Sequence, residues 1–256
     1  MKYNILTYIS AVALLFTAST YRCAAQSREL FDTEHAKKTL TIGVRASLTS
    51  SNVSPNYNEI FSDVWSTAGD WGYGFNAGVV ANLNIRNYFA IQPGIFFSNK
   101  CYDTKISTVS LVTDYASNVE RHSRFYYLQI PIMASFKMNL IKNVELLMEA
   151  GPYLGIGLGG NIKVSQISYS TVIMGNNINI DQYKLPYFGK GTMKNIQMKK
   201  GDWGVKMGVG FRFAHRYSIA AYYLAGCENI AHNNRGYESY AKARNKEWNV
   251  SLGFDF

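Results

Sequence analysis

Histidines are the side chains in this chain best suited to proton transfer at neutral pH. A serine–histidine–acid hydrolase or acyltransferase needs a histidine in hydrogen-bond reach of both a serine and an acid. His122 precedes Ser123, and His232 precedes two asparagines, but no spaced motif joins either histidine to an acid. The His, Cys, Asp and Glu residues also show no metal-ligand spacing. We therefore predict no catalytic residue, metal site or cofactor, and we do not expect an enzyme.

A second set with chemical potential consists of charged residues on the polar side of an alternating pattern. Four cations and four anions balance, so the set can form a neutral network of charge-assisted hydrogen bonds. Its members are Arg45, Lys137, Glu145, Glu149, Lys206, Arg212, Glu247 and Asp255. Glu145 and Arg212 lie at the same turn end of their strands, so we expect them to pair. We interpret the set as a satisfied polar core, with a gated pore as the alternative.

Lysines are concentrated between residues 163 and 202, where six lysines accompany two aspartates. Five of them are predicted to form a basic patch on a surface loop, namely Lys184, Lys190, Lys194, Lys199 and Lys200. Such a patch is suited to an anionic partner, such as lipid A phosphates or an acidic protein face. The alternative is a solvated loop beside anionic lipid.

Two cysteines, Cys101 and Cys227, follow predicted strands on opposite sides of the structure. A disulfide needs Cα atoms within about 7 Å. We expect both thiols to be unpaired.

The elements that position these residues alternate between apolar and polar residues with a period of two. Over residues 246–256 one side carries Trp248, Val250, Leu252, Phe254 and Phe256. Residues 71–85 and 203–213 repeat the pattern. Such residues would lie all around a helix, but they share one face of a strand. The pattern predicts strands with one apolar and one polar face.

The same pattern predicts eight strands, with short and long connections in strict alternation. The strands are 39–48, 71–85, 87–100, 123–138, 143–162, 203–213, 216–226 and 246–256. The long connections are 49–70, 101–122, 163–202 and 227–245. This alternation is typical of outer-membrane barrels, whose closed ring leaves no backbone group unpaired in hydrocarbon. We predict an all-β, eight-stranded antiparallel transmembrane β-barrel with short periplasmic turns and long extracellular loops.

Two alternatives stay open at this point. A soluble β-sandwich or lipocalin-like barrel would turn the same apolar faces inward. Segment 163–202 either extends the fifth strand or adds further β-structure. The composition excludes other classes, because charged residues are only 17% and aromatics reach 14% of 256 residues, unlike a disordered chain or a coiled coil.

The first residues have the character of an export signal. Lys2 precedes an apolar stretch, and Cys23-Ala24-Ala25 resembles a small-residue cleavage site. We predict a signal peptide over 1–25 that is cleaved near Ala25, a periplasmic leader over 26–38 and a barrel over 39–256. An uncleaved membrane anchor is the alternative. An exported barrel does not meet nucleic acid in its ordinary work, so we expect no nucleic-acid partner despite the net charge of +9.

Several segments together resemble a known family. They are Tyr127-Leu128-Gln129-Ile130-Pro131, Glu149-Ala150-Gly151-Pro152-Tyr153-Leu154-Gly155, Gly204-x-x-x-Gly208-x-Gly210 and Ser251-Leu252-Gly253-Phe254-Asp255-Phe256. Over residues 39–256 the chain resembles the PorT-like outer-membrane β-barrel proteins of Bacteroidota. The resemblance implies an outer-membrane location and assembly by the barrel-folding machinery, for which Phe256 would be the signal. A role in secretion, from which the family takes its name, does not transfer by fold alone.

These observations lead to two functional expectations. The first is a structural or interaction protein of a Gram-negative outer membrane, whose surface loops contact lipopolysaccharide or a cell-envelope protein, with an accessory role in protein secretion as one form of it. The second is a small-solute channel with a charge-plugged lumen.

Overall fold

The computed structural model describes residues 30–36, 38–56, 65–110, 115–172, 175–189, 198–231 and 242–256. The chain divides into a segment Met1–Leu30, of which only Leu30 is described, and a unit Phe31–Phe256 that holds all the strands. The predicted signal peptide lies outside the described residues. In the described ranges no helix is long and apolar enough to cross a membrane.

The described part of the chain forms nine strands. They are β1 (Leu40–Asn56), β2 (Trp65–Arg86), β3 (Phe89–Ser110), β4 (Tyr115–Ile141), β5 (Val144–Val172), β6 (Gly175–Pro186), β7 (Gly201–Phe213), β8 (Tyr217–Gly226) and β9 (Lys242–Asp255).

Eight of these strands close into an antiparallel ring. Consecutive neighbours pair from β1 to β5, then β5 pairs with β7, and the ring continues through β8 and β9 back to β1. The ninth strand, β6, lies outside the ring order and pairs with the outer part of β5, from Asn161 to Val172. The predicted eight-stranded antiparallel barrel is confirmed, with one added hairpin.

Side chains alternate between the outside and the inside of the ring. On β7 the apolar residues Trp203, Val205, Met207, Val209 and Phe211 are exposed, whereas Gly204, Lys206 and Gly210 between them are buried. Exposed apolar residues continue over the other strands and make a belt around the barrel. Such a belt is the surface that an outer-membrane barrel presents to lipid tails.

The predicted strand ends were wrong at the long-loop side. Segments 101–122 and 163–202 are mostly strand, because β3 continues to Ser110, β4 begins at Tyr115, and β5 and β6 occupy 144–186. Likewise, β1 reaches Asn56, β2 begins at Trp65 and β9 begins at Lys242, inside the predicted connections 49–70 and 227–245. Above the apolar belt the outer face carries residues such as Asp103 and Lys105. The alternation of apolar and polar residues that marks a membrane strand is therefore lost there.

The predicted short connections are tight turns at the opposite end. Three of their residues, Asn143, Ala214 and His215, have positive φ angles of 63°, 49° and 57°. The turn between β2 and β3 is covered by the leader: the backbone N–H of Asn87 donates to Glu34 O at 3.1 Å and Arg86 Nη1 donates to Thr33 O at 3.0 Å. The described part of the leader is thus attached to this end of the barrel.

Candidate functional site

The interior of the ring is the first candidate site, and its charges are arranged in layers. At the tight-turn end Arg45 Nη2 donates to Asp255 Oδ1 at 2.6 Å, and both side chains are buried. Arg212 Nε donates to Glu145 Oε2 at 2.7 Å, which is the pair expected from their shared depth. His215 Nδ1 lies 2.7 Å from the other oxygen of Glu145.

The middle layer combines a carboxylate with a lysine over aromatic rings. Glu149 accepts hydrogen bonds from Ser135 Oγ at 3.0 Å and from Tyr222 Oη at 2.5 Å. The Lys206 ammonium lies 4.5 Å from the centroid of the Tyr222 ring and 5.0 Å from that of Phe96, which is cation–π geometry. A cavity of about 10 Å³ lies between these side chains, which is room for roughly one water molecule.

Lys137, the remaining predicted lumen cation, binds a neutral group. Its ammonium donates to Asn84 Oδ1 at 2.6 Å near the tight-turn end. Seven of the eight predicted residues are buried on the inner side of the ring and Arg212 is half-buried there.

The upper layer contains two charged residues that sequence reasoning missed. Lys100 lies 2.8 Å from Glu247 Oε2, and both side chains are almost fully buried. Asp202 Oδ2 accepts hydrogen bonds from Tyr153 Oη at 2.9 Å and from Asn245 Nδ2 at 2.8 Å. Lys100 was treated as a strand end, and Asp202 as part of a loop. Continuing the alternation Phe96, Ser98, Lys100 by one step would have placed Lys100 inside.

An apolar cluster closes the ring above the upper layer, and we call it the cap. Its buried members come from β1, β3, β4, β5 and β9 and from the connections that follow β6 and β8. They are Val53, Tyr102, Phe125, Tyr127, Ile162, Val164, Tyr187, Phe188, Met198, Ile230, Ala231 and Ala243. Tyr187 stacks on Phe125 with a centroid distance of 4.0 Å, and the Phe188 ring stands at 88° to that of Tyr127.

Backbone hydrogen bonds hold the returning segments of the cap in place. Tyr187 N–H donates to Gly160 O at 3.0 Å, Met198 N–H to Tyr187 O at 2.9 Å and Ile230 N–H to Ala243 O at 2.9 Å. Bonded main chain and buried rings therefore both occupy this end of the ring.

The three described members of the predicted basic patch, Lys184, Lys199 and Lys200, do not form one cluster. Lys184 lies on β6 opposite Lys163 of β5. Lys199 and Lys200 precede β7, where Lys200 O accepts from Gly157 N–H and Lys199 lies 3.3 Å from Glu228. Position 157 is about 20 Å along β5 from position 163 at strand rise. Lys190 and Lys194 lie outside the described residues.

The residues considered for hydrolase chemistry are separated. Ser123 is buried on the inner face, whereas its neighbour His122 is exposed on the outer face and bonds Asp103. The pair cannot meet, because successive strand residues point to opposite sides. His232 lies outside the described residues. Cys101 is buried, Cys227 is exposed, and both are free thiols.

Comparison with known proteins gives a family. The model of the family described as outer membrane protein beta-barrel domain matches residues 24–232, which is most of the chain. No curated protein matches the chain significantly.

Among solved structures, the chain is similar to three outer-membrane proteins at low identity. Ail, the attachment invasion locus protein of Yersinia pestis, solved with the heparin analogue sucrose octasulfate, shares 12% identity with a TM-score of 0.34, covering 86% of this chain and 100% of Ail. Neisserial surface protein A shares 13% identity with a TM-score of 0.33, covering 84% and 97%. OprG from Pseudomonas aeruginosa shares 10% identity with a TM-score of 0.34, covering 88% and 99%.

Proposed function

We propose that this chain, which belongs to the outer membrane protein β-barrel domain family, is a sealed barrel that acts as an interaction protein through its outward-facing surface. Family membership makes it an outer-membrane β-barrel protein of a Gram-negative bacterium. Its proposed partners are lipopolysaccharide or a protein of the cell envelope, with an accessory role in protein secretion as one form of this function.

The observation that carries this proposal is the closure of the interior. The cap blocks the outer opening, and the layers below it are filled with paired charges such as Arg45–Asp255 and Lys100–Glu247. A barrel with a filled interior offers its partners only its outside, its loops and its ends.

The second support is the extent of the strands beyond the apolar belt. β3, β4, β5 and β6 continue as one antiparallel sheet, since Thr104 pairs with Arg121, Arg121 with Val164 and Val164 with Tyr183. We call this part the projecting sheet. Paired strands position its surface residues, and binding residues commonly lie on surfaces that a scaffold positions.

The proposal includes the export and family features predicted from the sequence. We propose that residues 1–25 are removed near Ala25, that the barrel-assembly machinery folds the chain, and that it is a PorT-like protein of Bacteroidota. The motifs around Tyr127 and Glu149 support this assignment.

A gated small-solute channel is the second candidate, and one observation favours it. The cavity beside Glu149 and Lys206 lies on the barrel axis between two charged layers, so rearranged ion pairs would widen it. Conduction would also require the cap to leave the opening.

Site-specific photocrosslinking in intact cells tests the interaction role. In one strain a crosslinking residue replaces Ile180, which is 65% exposed on the projecting sheet. In a matched control strain it replaces Lys142, which lies in a tight turn. We expect a discrete crosslinked product from position 180 that position 142 does not give. Absence of any product from position 180 and from its exposed neighbour Ile178 would contradict the interaction role.

A further inference from the structure

Two lysines on the projecting sheet are placed directly against each other. Lys163 of β5 and Lys184 of β6 are cross-strand partners, and both are exposed. They share the outer face, because their neighbours Ile162, Val164 and Leu185 pack into the cap. Directly opposed like charges on one sheet face destabilise the pairing. An anion between the two ammonium groups would remove this repulsion.

A third cation completes the group from the neighbouring strand. Arg124 of β4 is exposed and pairs with Asn161, while His122 pairs with Lys163. Arg124 is therefore the diagonal neighbour of Lys163, at a typical separation of about 7–8 Å. A guanidinium beside two ammonium groups can contact several oxygens of one phosphate.

The acids nearest to this group already have partners. Asp103 bonds His122, and Glu120 lies 3.5 Å from Lys105. The other outer-face neighbours in the register are Ser165 and Gln182, which are uncharged. Within the described ranges, Arg124, Lys163 and Lys184 form no salt bridge.

The height of the group relative to the apolar belt indicates which ligand it meets. Arg124 is two residues beyond Tyr126, whose ring stacks on Phe97 at 5.6 Å, and Lys163 is five residues beyond Leu158, which is 52% exposed. At strand rise and a tilt of about 40°, these cations lie about 5 Å and about 13 Å above the belt. The polar headgroup layer begins just above the belt. A lysine whose backbone lies higher can extend its side chain several ångströms down toward that layer.

We propose that Arg124, Lys163 and Lys184 form a lateral site for the phosphate groups of lipid A on the outside of the barrel. The long-loop end faces the outer leaflet, where lipid A supplies phosphates beside acyl chains. The acyl chains would lie along the apolar belt below Tyr126 while a phosphate bridges the three cations. This inference deepens the proposed function, on whose outward-facing surface it rests.

Lipid retention by the folded, purified full-length protein tests the site. The protein is titrated in detergent with diphosphoryl lipid A, and bound lipid is counted by native mass spectrometry. We expect Lys163→Gln/Lys184→Gln to weaken binding about 30-fold, since each basic residue near an anionic surface contributes roughly fivefold. Arg124→Gln should weaken it in the same direction. The control Lys142→Gln/Arg216→Gln removes the same charge at the tight turns, where both residues are exposed, and should change binding less than twofold.

Three results would overturn the site: equal binding by the Lys163/Lys184 variant and wild type, equal binding of dephosphorylated lipid A, or equal binding of phosphatidylglycerol. Heat-modifiable gel mobility shows that each variant is folded before titration. Failure here is separable from failure of the proposed function. If the barrel conducts ions yet binds lipid A through these lysines, the lipid site stands and the sealed barrel is excluded. If the barrel is sealed and gives the crosslink but binds lipid A equally well without these lysines, the proposed function stands and the lipid site is excluded.

Discussion

The rings of Phe125 and Tyr187 lie parallel, with 3° between their planes and 4.0 Å between their centroids, and both are fully buried. Phe125 belongs to the wall of the barrel, whereas Tyr187 lies in the segment that leaves β6 and returns over the opening. This stack therefore joins the cap to the wall, and offset or stacked aromatic pairs contribute beyond the area they bury.

Truncating the wall side of the stack should loosen the cap. We expect Phe125→Ala to lower the free energy of unfolding by about 3 kcal/mol, as for other buried phenylalanines. The measurement is urea unfolding in vesicles, followed by tryptophan fluorescence. The matched control is Tyr183→Ala, which removes a ring that is 39% exposed on β6 above the belt and should cost much less. Equal losses from the two variants would contradict a packed cap.

A glycine pair on β5 offers a sharper test of the cap. An added Cβ at Gly157 would collide with the Phe188 ring, whereas one at Gly159 would meet no atom within 4 Å. We expect Gly157→Ala to destabilise the barrel by about 1–3 kcal/mol through overpacking, and Gly159→Ala to be nearly neutral. The same unfolding experiment measures both. If Gly157→Ala is as harmless as Gly159→Ala, Phe188 does not pack on the wall.

The buried pair of Lys100 and Glu247 should show strong coupling. Glu247→Gln leaves the buried ammonium of Lys100 without its counter-charge, so we expect a loss of about 3–5 kcal/mol. The double variant Lys100→Met/Glu247→Gln should recover at least half of that loss, because the unpaired charge is gone. A double-mutant cycle on unfolding free energies checks this. Additive losses would mean that the two side chains do not interact.

The leader should contribute modestly at the tight-turn end. Asn87 Nδ2 donates to Asp32 Oδ2 at 2.9 Å and Phe31 contacts the Tyr88 ring edge-to-face. Both contacts are partly exposed, so we expect Asp32→Ala to cost about 0.5–1.5 kcal/mol. The control is Glu34→Ala, whose contact to Asn87 is made by its backbone oxygen. Protease protection of the segment ahead of β1 should fall in Asp32→Ala and not in Glu34→Ala.

The sequence best predicted which residues face the lumen in the part of the barrel that lipid surrounds. Within the belt, apolar residues must face hydrocarbon. The alternation of apolar and polar residues was therefore enough to place Arg45, Glu149 and Arg212 in the lumen. Lys100 and Asp202 follow the same alternation, but Lys100 stood at the end of its predicted strand and Asp202 in a predicted loop, which is why both were missed. The cap was not predictable, because Tyr187 and Ile230 lie in connections without periodicity. Its contacts join residues far apart in the chain.

The proposed lipid site shows the same limit. Proximity in the sequence grouped Lys184 with Lys199 and Lys200, but the strand register pairs Lys184 with Lys163, and Lys200 bonds Gly157, six residues away along β5. That register depends on the added strand β6, which the sequence left as an open alternative. Which charged residues lie close together on strands is therefore determined by the pairing between strands and not by proximity in the sequence.

Ion conductance of the wild-type barrel tests the account most directly. Folded protein is incorporated into planar bilayers, with insertion verified by heat-modifiable mobility of the recovered protein, and Glu145→Ala is recorded in parallel. Because the cap and the paired layers fill the interior, we expect no stable conductance steps from wild type. Steady, reproducible steps from wild type that change with Glu145→Ala would contradict the sealed barrel and favour the channel.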